Sequence, residues 1–162
     1  MNSNIQDYID LVRSGKLEVC KDQLLLCDMV ERVFSTEDIY VDEEQLNKYL
    51  NQQKYFPFQL YEWERVCFAL HNCTYKANGL LRFPDLLILV GRGAGKNGYL
   101  SFEDFCLLTP INGIKQYHID ICANSEDQAR TSFDDIYNIL EDRKAYFKKY
   151  FRWNKEKIQN IK

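Results

Sequence analysis

The stretch LLILVGRGAGKNGYL, Leu86 to Leu100, constrains the fold more than any other part of the chain. The run DLLILV is short, unbroken and apolar, which predicts a parallel strand covered on both faces. A glycine-rich turn, a lysine and a helix start follow it. Aligned on Lys96, the phosphate-binding pattern G-x-x-x-x-G-K-[ST] is met at Gly95 and Lys96. Val90 stands where the first glycine belongs, and Asn97 where a Ser or Thr belongs. Two of four fixed positions match, so the pattern alone is weak. Its context strengthens it. Backbone N–H groups of residues 93 to 97 would converge on an anion at a helix N-terminus, where the helix dipole also favours negative charge. Gly91, Gly93, Gly95 and Gly98 let the backbone approach a phosphate with no Cβ in the way, and Ala94 completes the loop. Lys96 would reach the phosphates as a mobile point charge. The Asn97 amide oxygen is a candidate Mg²⁺ ligand in place of the missing hydroxyl. A strand-to-helix turn that uses glycines for tightness alone is the competing reading.

The chain ahead of the loop reads as helical. Ile5, Tyr8, Ile9 and Val12 recur at helical spacing, and Gly15 is placed to end that helix. A second helix is expected from about Cys20 to Phe34, with Leu24, Cys27, Val30 and Val33 inward. Asp42 and Gln45 form a capping box for a helix burying Leu46, Tyr49 and Leu50. Pro57 suits the first turn of the next helix, which puts Leu60, Trp63, Cys67 and Leu70 on one stripe. Gly79 and Pro84 punctuate the approach to the loop. Beyond it, a helix to about Leu108 would turn Phe102, Phe105 and Cys106 inward and stop before Pro110. QYHIDICA alternates Tyr117, Ile119 and Ile121, as a second strand does, with His118 on the opposite face. Ser125 and Gln128 cap a final helix carrying Ala129, Phe133, Ile136 and Leu140. The order strand, loop, helix, strand, helix predicts an α/β fold whose parallel sheet has just begun.

Composition removes several classes. With 46% apolar and 14% aromatic residues among 162, the chain is globular and long enough for a real core. No apolar run reaches membrane-span length and the N-terminus lacks a signal-peptide layout, so a cytoplasmic setting is expected. Six cysteines show no CxxC spacing and only two histidines accompany them, which predicts reduced, buried thiols and no metal centre built from them. Residues 1 to 80 carry 13 acidic and 8 basic side chains, whereas residues 81 to 162 carry 11 and 13. The net charge of −3 argues against a dedicated nucleic-acid binder. The stretch RKAYFKKYFRWNKEK nevertheless interleaves cations with aromatics, a pattern that serves either a phosphate backbone or a solvated helix face.

These residues together resemble the N-terminal part of the large terminase subunit of tailed bacteriophages, the ATPase that packages viral DNA. YIDLVRSGKLEVCKDQLLLCDMVERVF is similar to the family's helical lead-in. FQLYEWERVCFAL is similar to its L-x-x-W-Q segment, whose glutamine contacts adenine. Trp63 matches the tryptophan, and Glu64 stands in place of the glutamine. A carboxylate accepts from the adenine amino group but donates nothing to a ring nitrogen. Arg92 occupies the family's arginine position four before the lysine, and HIDICANSEDQARTSFDDIYNIL is similar to its second strand and helix, through Ala123, Asn124, Gln128 and Ala129.

The resemblance implies ATP and Mg²⁺ as cofactors, Lys96 and Arg92 as phosphate-contacting catalytic positions, and Trp63 with Glu64 as the adenine-side wall. It further implies double-stranded viral DNA, the portal protein and the small terminase subunit as partners, and a ring oligomer for the intact motor, in the cytoplasm of a bacterial host. Residues 1–54 would form the helical lead-in and residues 55–162 the first half of the P-loop ATPase domain. No apolar run in the chain ends in the Asp-Glu pair that organises Mg²⁺ and water in such enzymes. The expectation is therefore a truncated motor fragment that binds nucleotide weakly and does not turn it over. Two alternatives stay open: an interaction module with a vestigial loop, and a helicase-like P-loop NTPase outside phage.

Overall fold

The computed structural model describes all residues from Met1 to Lys162. The chain divides into two compact units, one formed by residues 1–47 and 60–87, the other by residues 48–59 and 88–162.

The first unit is mainly helical. Helix α1 (Ser3–Arg13) is capped by Asn2, whose side chain accepts from the Asn4 N–H, and it buries Ile5, Tyr8, Ile9 and Val12. Gly15 follows in the left-handed region at φ +70°, where its lack of a Cβ lets the chain reverse. Helix α2 (Lys21–Thr36) buries Cys27, Val30 and Val33. Leu24, expected inward, is 41% exposed, because it lies in the first turn beyond the reach of the packed stripe. Arg13 ties the two helices together through Asp28 and Glu31. Strand β1 (Ile39–Val41) leads into helix α3 (Glu43–Leu50), whose start is held by the Gln45 N–H donating to Asp42 Oδ1 at 2.9 Å. Helix α4 (Glu62–Cys73) packs against α1 and runs into β2 (Thr74–Lys76). Strands β1 and β2 pair antiparallel with Tyr40 opposite Tyr75, their rings stacked at 5.9 Å.

Two expectations about α4 are corrected. Pro57 lies in a bend five residues before the helix rather than in its first turn. The buried face carries Glu64, Val66, Phe68, Ala69, Leu70 and Cys73, while Trp63 and Cys67 are half-buried. Leu60 is buried but precedes the helix. Residue spacing fixes which positions share a face, and tertiary packing decides which face is buried.

The second unit is built around aromatic side chains. A 3₁₀ turn (Asn51–Tyr55) brings in Tyr55 and Phe56, and helix α5 (Lys96–Leu108) supplies Tyr99, Phe102 and Phe105, all fully buried. Phe56 meets Phe102 and Phe105 edge-on at 5.5 and 5.6 Å, a favoured arrangement of ring quadrupoles. Helix α6 (Glu126–Asp142) begins where expected, with the Ser125 hydroxyl accepting from the Gln128 N–H, and it packs along α5 through Ile136 and Leu140. The short helix α7 (Lys144–Phe147) delivers Phe147 to the same aromatic cluster, 5.1 Å from Tyr55. Strands β3 (Phe151–Trp153) and β4 (Ile158–Asn160) close the chain as an antiparallel hairpin.

The fold is thus mixed α/β, but its two sheets are small and antiparallel. The predicted parallel strands at DLLILV and QYHIDICA do not form. Neither stretch has regular secondary structure, and Leu87 and Leu89 are 81% and 85% exposed. A strand satisfies its N–H and C=O groups only through a neighbour, and neither stretch makes a backbone hydrogen bond to another segment. Cys20 and Cys122 are exposed, contrary to the expectation of buried thiols, and Cys122 lies in the second of these stretches. All six cysteines are free thiols, and burial, followed by the nearby Asp42, pushes the Cys73 thiol up to about 12.

Candidate phosphate-binding loop

The glycine loop keeps the helix-forming half of its expected geometry. Ala94 N–H donates to the Gly91 carbonyl at 3.3 Å, closing a tight turn. Gly93 and Gly95 sit at φ +83° and +92°, where a side chain is strained whatever the space around it. Gly95 is the residue before α5, and its carbonyl accepts the first helical bond from the Tyr99 N–H at 3.0 Å. No side chain caps this helix. The N–H groups at its start therefore remain available, and Arg92, Lys96 and Asn97 around them are exposed. An anion of phosphate size fits the chemistry of this donor set.

One turn in, the loop is braced. A Cβ on Gly98 would come within 3.1 Å of the Phe58 ring, so the ring packs directly against the bare backbone. Ser101, buried on the next turn, donates to Asp135 Oδ2 of α6 at 2.7 Å and lies 2.8 Å from the Asn97 carbonyl. A cleft of about 350 Å³ opens beside this brace, lined by Tyr55, Phe58, Asp135, Asn138, Asp142 and Arg143. The Arg143 guanidinium lies over the Tyr55 ring at 5.4 Å. None of these supporting residues was singled out from the sequence as part of a site. The packing partner of Gly98 and the hydroxyl–carboxylate pair join residues more than thirty positions apart, and no local pattern announces them.

Trp63 and Glu64 belong to the first unit, whereas residues 91 to 98 belong to the second. Glu64 is 2% exposed, and its carboxylate accepts from the Tyr61 N–H at 2.8 Å, reaching back over the start of α4. Burial raises its pKa. No group of three or more His, Cys, Asp or Glu side chains is arranged to hold a metal ion. Near the loop Asn97 offers a neutral amide oxygen, and the carboxylate braced one turn further on is already engaged by Ser101. A Mg²⁺ ion here would depend mainly on phosphate oxygens for its ligands.

Comparison with protein families, with curated proteins and with solved structures finds no match for this chain. No helix is long and apolar enough to cross a membrane.

Proposed function

We propose that the chain is the phosphate-binding, N-terminal part of a terminase-like ATPase that couples ATP hydrolysis to packaging of double-stranded viral DNA. The single observation that carries this reading is the uncapped start of α5 behind two left-handed glycines, flanked by exposed Arg92 and Lys96. Lys96 and Arg92 would neutralise the phosphates, and the first amides of α5 would orient them. The cleft between Tyr55 and Phe58 would take the nucleoside. Mg²⁺ would arrive with the nucleotide, touched by Asn97. The chain lacks an apolar run ending in Asp-Glu, so binding without turnover is the expected behaviour of these residues alone. Portal, small subunit and ring assembly belong to the intact motor.

A second reading has one specific observation in its favour. The residues before the loop form no strand and expose Leu87 and Leu89, as a vestigial loop in an interaction module would tolerate. Titration with a fluorescent ATP analogue separates the two. The motor reading expects saturable binding that weakens by about tenfold or more in Lys96→Ala, since a charge-assisted contact to phosphate is worth roughly 1.5–3 kcal/mol. Equal, feeble binding by both proteins sinks it and leaves the interaction module.

A further inference from the structure

A second, larger cleft of the same unit lies away from the glycine loop. It has a volume of about 760 Å³ and lies among the end of α5, residues 114–118 and strand β4. Lys115, Lys157 and Lys162 line it with Gln116, Tyr117 and His118, and no Asp or Glu does. None of the three ammonium groups takes part in an ion pair or side-chain hydrogen bond within the chain. Like charges gathered around one cavity repel each other, and their field concentrates anions there.

The wall is built rather than incidental. Asn154 Oδ1 accepts from the Glu156 and Lys157 N–H groups at 2.9 and 2.8 Å, fixing the hairpin turn that presents Lys157. Asn160 donates to the Leu108 carbonyl at 3.0 Å, anchoring β4 to the end of α5. Gln116, at φ +57°, is the one non-glycine residue in the left-handed region, and it sits between Lys115 and Tyr117. The charge follows the same plan. Residues 143–162 hold eight basic side chains and one acidic, while the remaining 142 hold 13 basic and 23 acidic. An adjoining cleft of about 310 Å³ shares Tyr117 and Lys157 but also carries Asp120 and Glu156, whose negative charge opposes phosphates on that side.

We propose that this groove binds single-stranded nucleic acid, with Lys115, Lys157 and Lys162 neutralising consecutive phosphates and Tyr117 stacking on a base. A single strand fits better than a duplex because only an unpaired base offers its face to the half-exposed Tyr117 ring, and such stacking tolerates any sequence. The groove shares no residue with the glycine loop, so it stands whether or not that loop binds nucleotide.

Fluorescence anisotropy with labelled oligothymidylate, and with its duplex on oligoadenylate, tests the proposal across a salt series. Three phosphate contacts predict a slope of log K against log salt near −2, from roughly −0.7 per contact on a single strand. The triple variant K115E/K157E/K162E should bind at least about tenfold more weakly with a slope near zero. Tyr117→Leu should weaken binding with the slope unchanged. Circular dichroism establishes that each variant is folded, and the milder K115Q/K157Q/K162Q replaces the triple variant if charge reversal unfolds it. Lys96→Ala should bind the oligonucleotide as wild type does, and the groove variants should retain whatever ATP-analogue binding wild type has. No binding by wild type, binding unaffected by the lysine substitutions, or equal preference for the duplex would overturn the proposal.

Discussion

Asp104 shows how much one side chain can couple to its surroundings. It lies half-buried on α5 beside Glu103, and burial, with that neighbouring carboxylate as the lesser cause, pushes its carboxyl up to about 7. An unfolded chain ionises the same group near the ordinary carboxylate value, so between about pH 4 and pH 7 the native state holds a proton that the unfolded state has lost. Stability must therefore fall as pH rises through this window. Asp104→Asn should match wild type near pH 4 and be more stable by on the order of 4 kcal/mol above pH 7. Urea unfolding at several pH values reads this directly, and a gap independent of pH would refute it. The sequence shows adjacent acids at 103 and 104, but only the fold places Asp104 beside Phe133 and Ile136 of α6 and Ile158 of the C-terminal hairpin. Glu64 makes a similar point, since helical spacing puts Trp63 on the expected stripe while the folded chain buries Glu64.

At the scale of elements, helices and strands differ in what they need from elsewhere. A helix closes its own hydrogen bonds, so local signals suffice: Asn2, Asp42 and Ser125 hold the starts of α1, α3 and α6, and Gly15 marks the end of α1. A strand closes none of its own. DLLILV and QYHIDICA have the right composition, yet residues 85–90 and 117–123 make no backbone hydrogen bonds. Hydrogen exchange should find those amides near the unprotected rate while residues 99–108 of α5 are strongly protected. Protection spread evenly over both stretches would mean that they pair in solution. The pairs that do form, β1 with β2 and β3 with β4, were not anticipated, because strands of three residues carry too little periodicity to read.

For the molecule as a whole, the exposed apolar residues have consequences for association. Leu87 and Leu89 present apolar surface beside backbone that makes no hydrogen bonds, and such a segment invites pairing with another chain. The double variant L87K/L89K should reduce concentration-dependent self-association in sedimentation velocity. Its effect on unfolding free energy should stay within about 0.5 kcal/mol, as for surface substitutions generally. Unchanged association would show that these leucines are not the contact.

The sequence by itself determined most of the helices, the caps at Asp42 and Ser125, much of the inward-facing apolar set of α1, α2 and α5, and the loop that opens α5 with its exposed lysine and arginine. Each of these depends on interactions within a few residues, where spacing and residue type are sufficient. Tertiary structure decided the rest: two units interleaved along the chain rather than one boundary near residue 54, two small antiparallel pairs instead of a parallel sheet, and a lysine groove assembled from residues about forty positions apart. Those outcomes depend on which distant segments meet, and closing a long loop costs entropy that only a well-matched non-local partner repays. A pattern confined to one stretch of sequence specifies what a segment would prefer, and the partner decides whether it gets it.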